Sequence, residues 1–493
     1  MPKGTGLRKQ PFNMQTRIER HKHSGPLMVQ VDRVFTRTLT IILLHGLFLL
    51  VTFSLEGLDY KAKLSLFAFL SAMTLWITTK IPAGYVALAS VCFIVFMKGG
   101  SQELLFHSLS EEVVWLMIGA FIIGEAVTQS GLAARLVEII LRKSRTAGRM
   151  KMGIISFIFA TAFFIPSTSG RAAMAKPIIM HVGSRLSPGE KRVLAVTVPV
   201  VILMSTSAAL IGAGSHMISI GLLESASGQT ISYLQWMVWG LPFALIVTIL
   251  SVLVIKWLMR QEATSAHWDT KTTVEVTKPL TMAEKKTLVI IAFLLAGWMT
   301  ENIHGYDLAF VTVLGAIVMM LPNIGIISWK QGIKSVSWNL ILFVAAATSL
   351  GKILVETGLV QWLEEKITGF LFLFSQAPDW IIVLGILLIT STSHLYITSH
   401  TTRAIVLIPG IILFSQSAGI SPSAAVFLSL IGMNYCITFP VSSKALLLFY
   451  EDGDLNYDAG LLTKLSAILM PVYIIVAVVF YFTYWQWTGM SLH

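Results

Sequence analysis

Charge is scarce in this chain. Only 12% of its 493 residues are Asp, Glu, Lys or Arg, against 55% that are hydrophobic, and the mean hydropathy is +0.76. That balance excludes an ordinary soluble domain. Cysteine is scarcer still: Cys92 and Cys436 both lie in apolar runs, which excludes a disulfide scaffold and reads as two small buried side chains. No early apolar core precedes the first long apolar run, so no cleavable signal peptide is expected. G-x-S-x-G and H-E-x-x-H are absent, which leaves an intramembrane enzyme without a recognisable nucleophile or zinc site. His394 and His400 lack a third ligand, so no zinc site is expected.

What is present is a succession of apolar runs of about 17–25 residues, each long enough to cross a hydrocarbon core of about 30 Å. The expected fold is an all-α polytopic membrane protein with about eleven transmembrane helices, two re-entrant hairpins and two unwound helices. Its divisions are an N-terminal arm over 1–34, a first transmembrane helix and first repeat over 35–258, a linker over 259–286, and a second repeat over 287–493. Basic residues cluster in the arm (Lys3, Arg8, Lys9, Arg17, Arg20, Lys22), after the fourth span (Arg142, Lys143, Arg145, Arg149, Lys151) and in the linker. The positive-inside rule therefore places the N-terminus in the cytoplasm and, with eleven crossings, the C-terminus outside. The acidic stretch Tyr450–Asp458 would also face the cytoplasm, but acidic residues carry little topological weight. The net charge of +11 is read as such cytoplasmic clusters, and a lipid-facing arm explains the basic N-terminus, so no nucleic-acid partner is expected.

One stretch interrupts the apolar pattern. Residues 165–179 read IPSTSGRAAMAKPII, with basic clusters on both sides. Both ends then face one side, and the run is short for two crossings, so a hairpin with its tip at Pro166–Gly170 fits. The stretch aligns without gaps on residues 397–411, ITSHTTRAIVLIPGI, with Ile165/Ile397, Ser167/Ser399, Arg171/Arg403 and Pro177/Pro409 in register. Upstream, GEAVTQSGL pairs with GKILVETGL; downstream, Gly212–His216 is set opposite Pro440–Lys444. Three elements in the same order, entering from opposite sides, describe an inverted repeat, the architecture of many secondary transporters.

Charges at membrane depth mark a pathway, a partner or a ligand. The hydroxyls of Ser167, Thr168, Ser169, Ser399 and Thr401, with Thr402, Arg171, Arg403 and the hairpin-tip amides, make a donor-rich site suited to a carboxylate or another oxyanion. Ser215, His216, Ser442, Ser443 and Lys444 would complete it from the unwound helices. His400 is read as a hydrogen-bonding site residue. Lys176 is read as snorkelling to an interface. Glu125 and Lys352 occupy equivalent repeat positions with opposite sign and are candidates for a structural ion pair or for coupling.

These motifs resemble the divalent anion:sodium symporter family of di- and tricarboxylate carriers, from about residue 64 to the end of the chain. PSTSGRAAMAKPI looks like the first hairpin tip of that family and TSHTTRAIVLIP the second; the arginine after the signature is similar to the exchanger-like branch. The resemblance implies a homodimer with scaffold and transport domains and elevator-type movement, with no cofactor. It also implies sodium sites near Ser167, Gly212, Gly214 and Ser399. The family's signature asparagine, however, is Thr168 in one tip and His400 in the other, and its Thr-Pro-Pro-Asn-like breaks are Gly214-Ser215-His216 and Ser442-Ser443-Lys444. Protonated His216 and Lys444 would repel Na⁺ and supply its charge.

The reading is a secondary active transporter of organic anions such as malate, succinate, 2-oxoglutarate or citrate, in a bacterial plasma membrane. A cationic site is costly to leave empty in a low-dielectric interior, which favours anion exchange. The alternatives are Na⁺-coupled symport, H⁺-coupled symport through Glu125, His216 or His400, and sulfate as substrate. An anion channel would differ in showing no saturation and no counter-anion dependence.

Overall fold

The computed structural model describes residues 25–79, 81–183, 186–261, 279–359, 377–397, 399–450 and 457–493, with Trp362 and Lys366. Most of the expected N-terminal arm, most of the linker and the acidic loop after Tyr450 lie outside the described residues, as do Arg185 and Thr398. Every described element is helical, with no strand among the described residues. The described residues 25–56, helix α1 (Gly25–Ser54) and the two residues after it, belong to one unit. The second unit is residues 57–493.

In that second unit the first half runs α2 (Tyr60–Thr78), α3 (Ala83–Phe96), α4 (Gln102–His107), α5 (Glu112–Gln129), α6 (Leu132–Lys143), α7 (Ala147–Ala160), α8 (Thr168–Gly183), α9 (Pro188–Met204), α10 (Gly214–Ser227) and α11 (Tyr233–Leu258). The second half runs α12 (Met282–Met299), α13 (Glu301–His304), α14 (Leu308–Met320), α15 (Trp329–Ser335), α16 (Trp338–Glu356), α17 (Asp379–Thr392), α18 (His400–Ser417), α19 (Pro422–Asn434), α20 (Lys444–Tyr450) and α21 (Ala459–Phe480). Among the described residues, five helical stretches are long and apolar enough to cross a membrane by themselves, including α5, α11 and α16; α3, α14 and others are shorter apolar helices.

Local chemistry sets the ends. A Thr281/Glu284 capping box starts α12, and Ser232 caps α11 through Gln235 N. The hairpin expected over 151–184 is α7 and α8, joined by a short 3-10 turn at Thr161–Phe163 and an irregular tip at 164–167; both limbs pack on α9. Its counterpart is α17 and α18, both packed on α19.

The crossing helix α9–α10 stops at Met204 because the next hydroxyls compete for its backbone. Ser205 Oγ donates to Val201 O at 2.5 Å and Thr206 Oγ1 to Ile202 O at 2.7 Å. In α19–α20 the break holds Pro440, which has no N–H to continue a helix. The two breaks share one backbone path. Ala209 and Phe439 have φ, ψ of −136°, 144° and −131°, 152°; Ala213 and Ser443 have −150°, 148° and −148°, 138°. This corrects the downstream register: Lys444 is the equivalent of Gly214 rather than of His216. The hairpin tips keep the register read from sequence, since Arg171 N and Arg403 N each donate at 2.9 Å to the carbonyl of Ser167 and Ser399.

The halves interlock. Helix α14 packs on α5, α16 on α3, α10 on α18, and α20 on both α8 and α9.

Candidate functional site

Four interruptions of helix converge on one cavity: Pro166–Ser169, Ala213–Ser215, Ser399–Thr402 and Ser443–Lys444. Opposite them stand Ala83, Phe121, Ser337, Asn339, Leu340 and Phe343. The cavity occupies about 1280 Å³, counting the part open to solvent. No Asp or Glu is among the described residues that line it.

Donors dominate this space. Ser167 Oγ accepts from Gly170 N at 3.1 Å and lies 3.0 Å from Ser169 Oγ. Ser399 Oγ accepts from Thr402 N at 3.3 Å. Each hairpin tip thus caps the helix that follows, and α8 and α18 begin at the cavity wall. Helix N-termini carry partial positive charge and unpaired N–H groups, so both ends are suited to an anion. Lys444 is exposed within this cavity and forms no ion pair among the described residues. His400 also lines it, with Nε2 at 2.9 Å from Cys436 Sγ and a buried Nδ1 that has no hydrogen-bond partner.

Of the residues singled out in the sequence, Ser167, Thr168, Ser169, Ser215, Ser399, His400, Thr401, Thr402, Ser443 and Lys444 line the cavity. Arg171, Arg403, His216 and Ser442 do not. Arg171 is fully buried. Its Nε donates to Thr161 Oγ1 at 2.8 Å, Nη1 to Ile202 O at 3.0 Å, and Nη2 to Ile158 O at 3.0 Å and Ser205 Oγ at 2.6 Å. Those carbonyls belong to the last turns of α7 and α9, where they also accept from Thr161 Oγ1 and Thr206 Oγ1. The guanidinium therefore fastens two helix ends behind the tip. Arg403 is equally buried. Its Nη1 donates to Met433 O at 2.8 Å, while Nε and Nη2 find no hydrogen-bond partner, with the Cys436 thiol beside them.

His216 lies buried between the two breaks. Nδ1 is 3.3 and 3.2 Å from the carbonyls of Ala209 and Leu210, and Nε2 is 3.1 Å from Asn434 Oδ1. Asn434 Nδ2 donates to Ser207 Oγ at 2.9 Å, so one amide from the second half bridges to the break of the first. Ser442 is buried and accepts from Phe439 N at 3.2 Å. Gly212, expected near sodium, faces the Thr206 carbonyl, whereas Gly214 lines the cavity. Glu125 and Lys352 do not pair with each other: Glu125 accepts from Gln129 at 2.8 Å, and Lys352 pairs with Glu111. Equivalent positions in an inverted repeat lie toward opposite sides, so their separation follows from the topology.

Sequence reading missed Ser337, Asn339 and Asn434. Asn434 had a signal, being a lone amide inside the apolar run SLIGMNYC. Ser337 and Asn339 had none, because they reach the cavity only through the packing of α16 on α3.

Comparison with known proteins agrees with this architecture. The family described as "Sodium:sulfate symporter transmembrane region" matches residues 32–491. The sodium-dependent dicarboxylate transporter SdcS of Staphylococcus saprophyticus is 23% identical over 88% of this chain and 88% of its own. A chloroplastic dicarboxylate transporter 1 of Spinacia oleracea is 25% identical over 70% of this chain and 62% of its own. An L-tartrate/succinate antiporter of Shigella sonnei is 26% identical over 53% and 56%. Among solved structures, the YdaH transporter of Alcanivorax borkumensis superposes with a TM-score of 0.57, at 14% identity, over 87% of this chain and 99% of that one.

Proposed function

Since this chain belongs to the sodium:sulfate symporter transmembrane-region family, we propose that it is a secondary active transporter of organic dianions, C4-dicarboxylates first, working as an anion exchanger. It is a carrier, not an enzyme. The observation that carries the substrate class is the cavity: two helix N-termini, a ring of hydroxyls and Lys444, with no carboxylate among its described lining. One carboxylate of the substrate sits at the capped tips and the other reaches Lys444. Relatives named as dicarboxylate transporters and as a tartrate/succinate antiporter support that size of substrate.

Exchange is supported by charge. Arg171 and Arg403 are buried at membrane depth and neither makes an ion pair with a carboxylate among the described residues. Uncompensated cations cross a low-dielectric barrier poorly, and a bound dianion lowers that cost. The loaded carrier then crosses and the empty one stays. Na⁺ coupling is the second reading, favoured by the sodium-dependent relative. The reading includes elevator-type movement, a homodimer in a plasma membrane, and a cytoplasmic N-terminus.

Proteoliposome uptake of labelled succinate, malate, citrate and sulfate decides it. The expected result is succinate and malate uptake that requires internal cold anion and ignores Na⁺. Steady uptake into anion-free vesicles along a Na⁺ gradient would overturn exchange and establish symport.

A further inference from the structure

Helix α6 leaves α5 through Gly131, whose φ of 78° is accessible to glycine at little cost and turns the chain sharply. Twelve residues span only about 18 Å, too short to cross a bilayer. One face is buried through Leu132, Ala133, Val137 and Leu141, the pattern of a helix lying in a membrane interface. Arg135 anchors it: Nε is 3.3 Å from Glu284 at the start of α12 and Nη1 is 3.2 Å from Glu138. Its other end meets α7 closely, since a Cβ on Gly153 would lie 2.6 Å from Ile140.

The junction of α6 and α7 is strongly basic. Arg142, Lys143, Arg145 and Arg149 are all exposed. Lys143, Arg145 and Arg149 form no ion pair among the described residues. From Glu138 to Glu190 the sequence contains no acidic residue between the two, and Glu190 is taken by Lys151 at 2.9 Å. Met152 is 61% exposed alongside. At the offset that pairs GEAVTQSGL with GKILVETGL, the junction falls opposite the sequence GFLFLFSQ at 369–376, which carries no charge, so the basic junction is not a requirement of the repeat.

We propose that the α6–α7 junction is a docking surface for the headgroups of anionic phospholipids, holding α6 on the bilayer where it joins the first hairpin. The apolar side of α6 and Met152 set the depth, and Lys143, Arg145 and Arg149 take the phosphates. The docking does not depend on the transported substrate; which leaflet it uses follows from the orientation proposed above.

Lipid binding by the purified full-length protein, followed by native mass spectrometry with phosphatidylglycerol and with phosphatidylcholine, tests this without a transport assay. The wild type should prefer phosphatidylglycerol. The Lys143→Gln/Arg145→Gln/Arg149→Gln variant should lose up to about a hundredfold of that binding at low salt and keep phosphatidylcholine binding. A Lys256→Gln/Lys285→Gln/Lys286→Gln variant should bind like the wild type. Should the triple variant misfold, Arg149→Gln alone should lose part of the preference. The proposal falls if the junction variants retain wild-type phosphatidylglycerol binding, if the control variant loses as much, or if inorganic phosphate displaces the lipid.

Discussion

Lys444 and Arg171 look alike in the sequence, each a cation embedded in an apolar run, yet they have opposite jobs. Lys444 stands free in the cavity; Arg171 spends its donors on Thr161, Ser205 and two helix-end carbonyls. Lys444→Gln should therefore give a folded carrier whose KM for succinate rises roughly 10- to 100-fold, the worth of one charge-assisted hydrogen bond of about 1.5–3 kcal/mol. Lys444→Arg should restore part of it. Arg171→Ala should act on the fold. It removes the guanidinium that ties the ends of α7 and α9 together and opens a void, costing on the order of 3–5 kcal/mol, read as a fall in the thermal unfolding midpoint in detergent. If Arg171→Ala unfolds like the wild type and only weakens succinate, the arginine belongs to the site after all. The sequence could say that both charges needed a reason to be there. It could not say which way each side chain turns, because for Arg171 that depends on Ile202 and Ser205, 31 and 34 residues along the chain. Arg403 is the less complete copy: two of its nitrogens find no partner, and Cys436 stands beside them.

Elements were more legible than contacts. The hairpin tips follow from a hydroxyl-rich stretch with apolar flanks, and the repeat register there holds to the residue. The breaks were located but misaligned by two residues, since matching polar residues is a weaker guide than matching the dihedral path that both breaks share. Close approach enforces that path. A Cβ on Gly240 of α11 would overlap the Ser207 carbonyl oxygen in the first break. Gly240→Ala should push the break off its course, lowering the unfolding midpoint and abolishing exchange. Gly410→Ala in α18, where a Cβ meets nothing within 4 Å, should leave both unchanged and serves as its control. Equal behaviour of the two variants would remove the argument that α11 shapes the break.

At the scale of the molecule, the two repeats read from sequence are not two bodies. Helices α14 and α16 of the second half pack on α5 and α3 of the first, and α20 packs on α8 and α9. An alternating-access carrier built this way moves a part drawn from both halves, and the cavity lies where such a part faces the rest. Gly214 on the break and Leu340 on α16 meet there, with a Cβ on Gly214 3.6 Å from Leu340 Cδ2. The elevator movement proposed above would carry the break along α16 and separate them. Gly214→Cys/Leu340→Cys should therefore be joined by a short bifunctional thiol reagent, and joining should stop exchange until the link is cleaved; neither single variant should be arrested by the same treatment. Exchange that continues at the wild-type rate with the link closed would mean that these two surfaces stay together throughout the cycle, and the moving part would have to be sought elsewhere in the fold. A link that arrests exchange would place the sliding boundary between the tips and α16, which is the boundary that the cavity walls already trace.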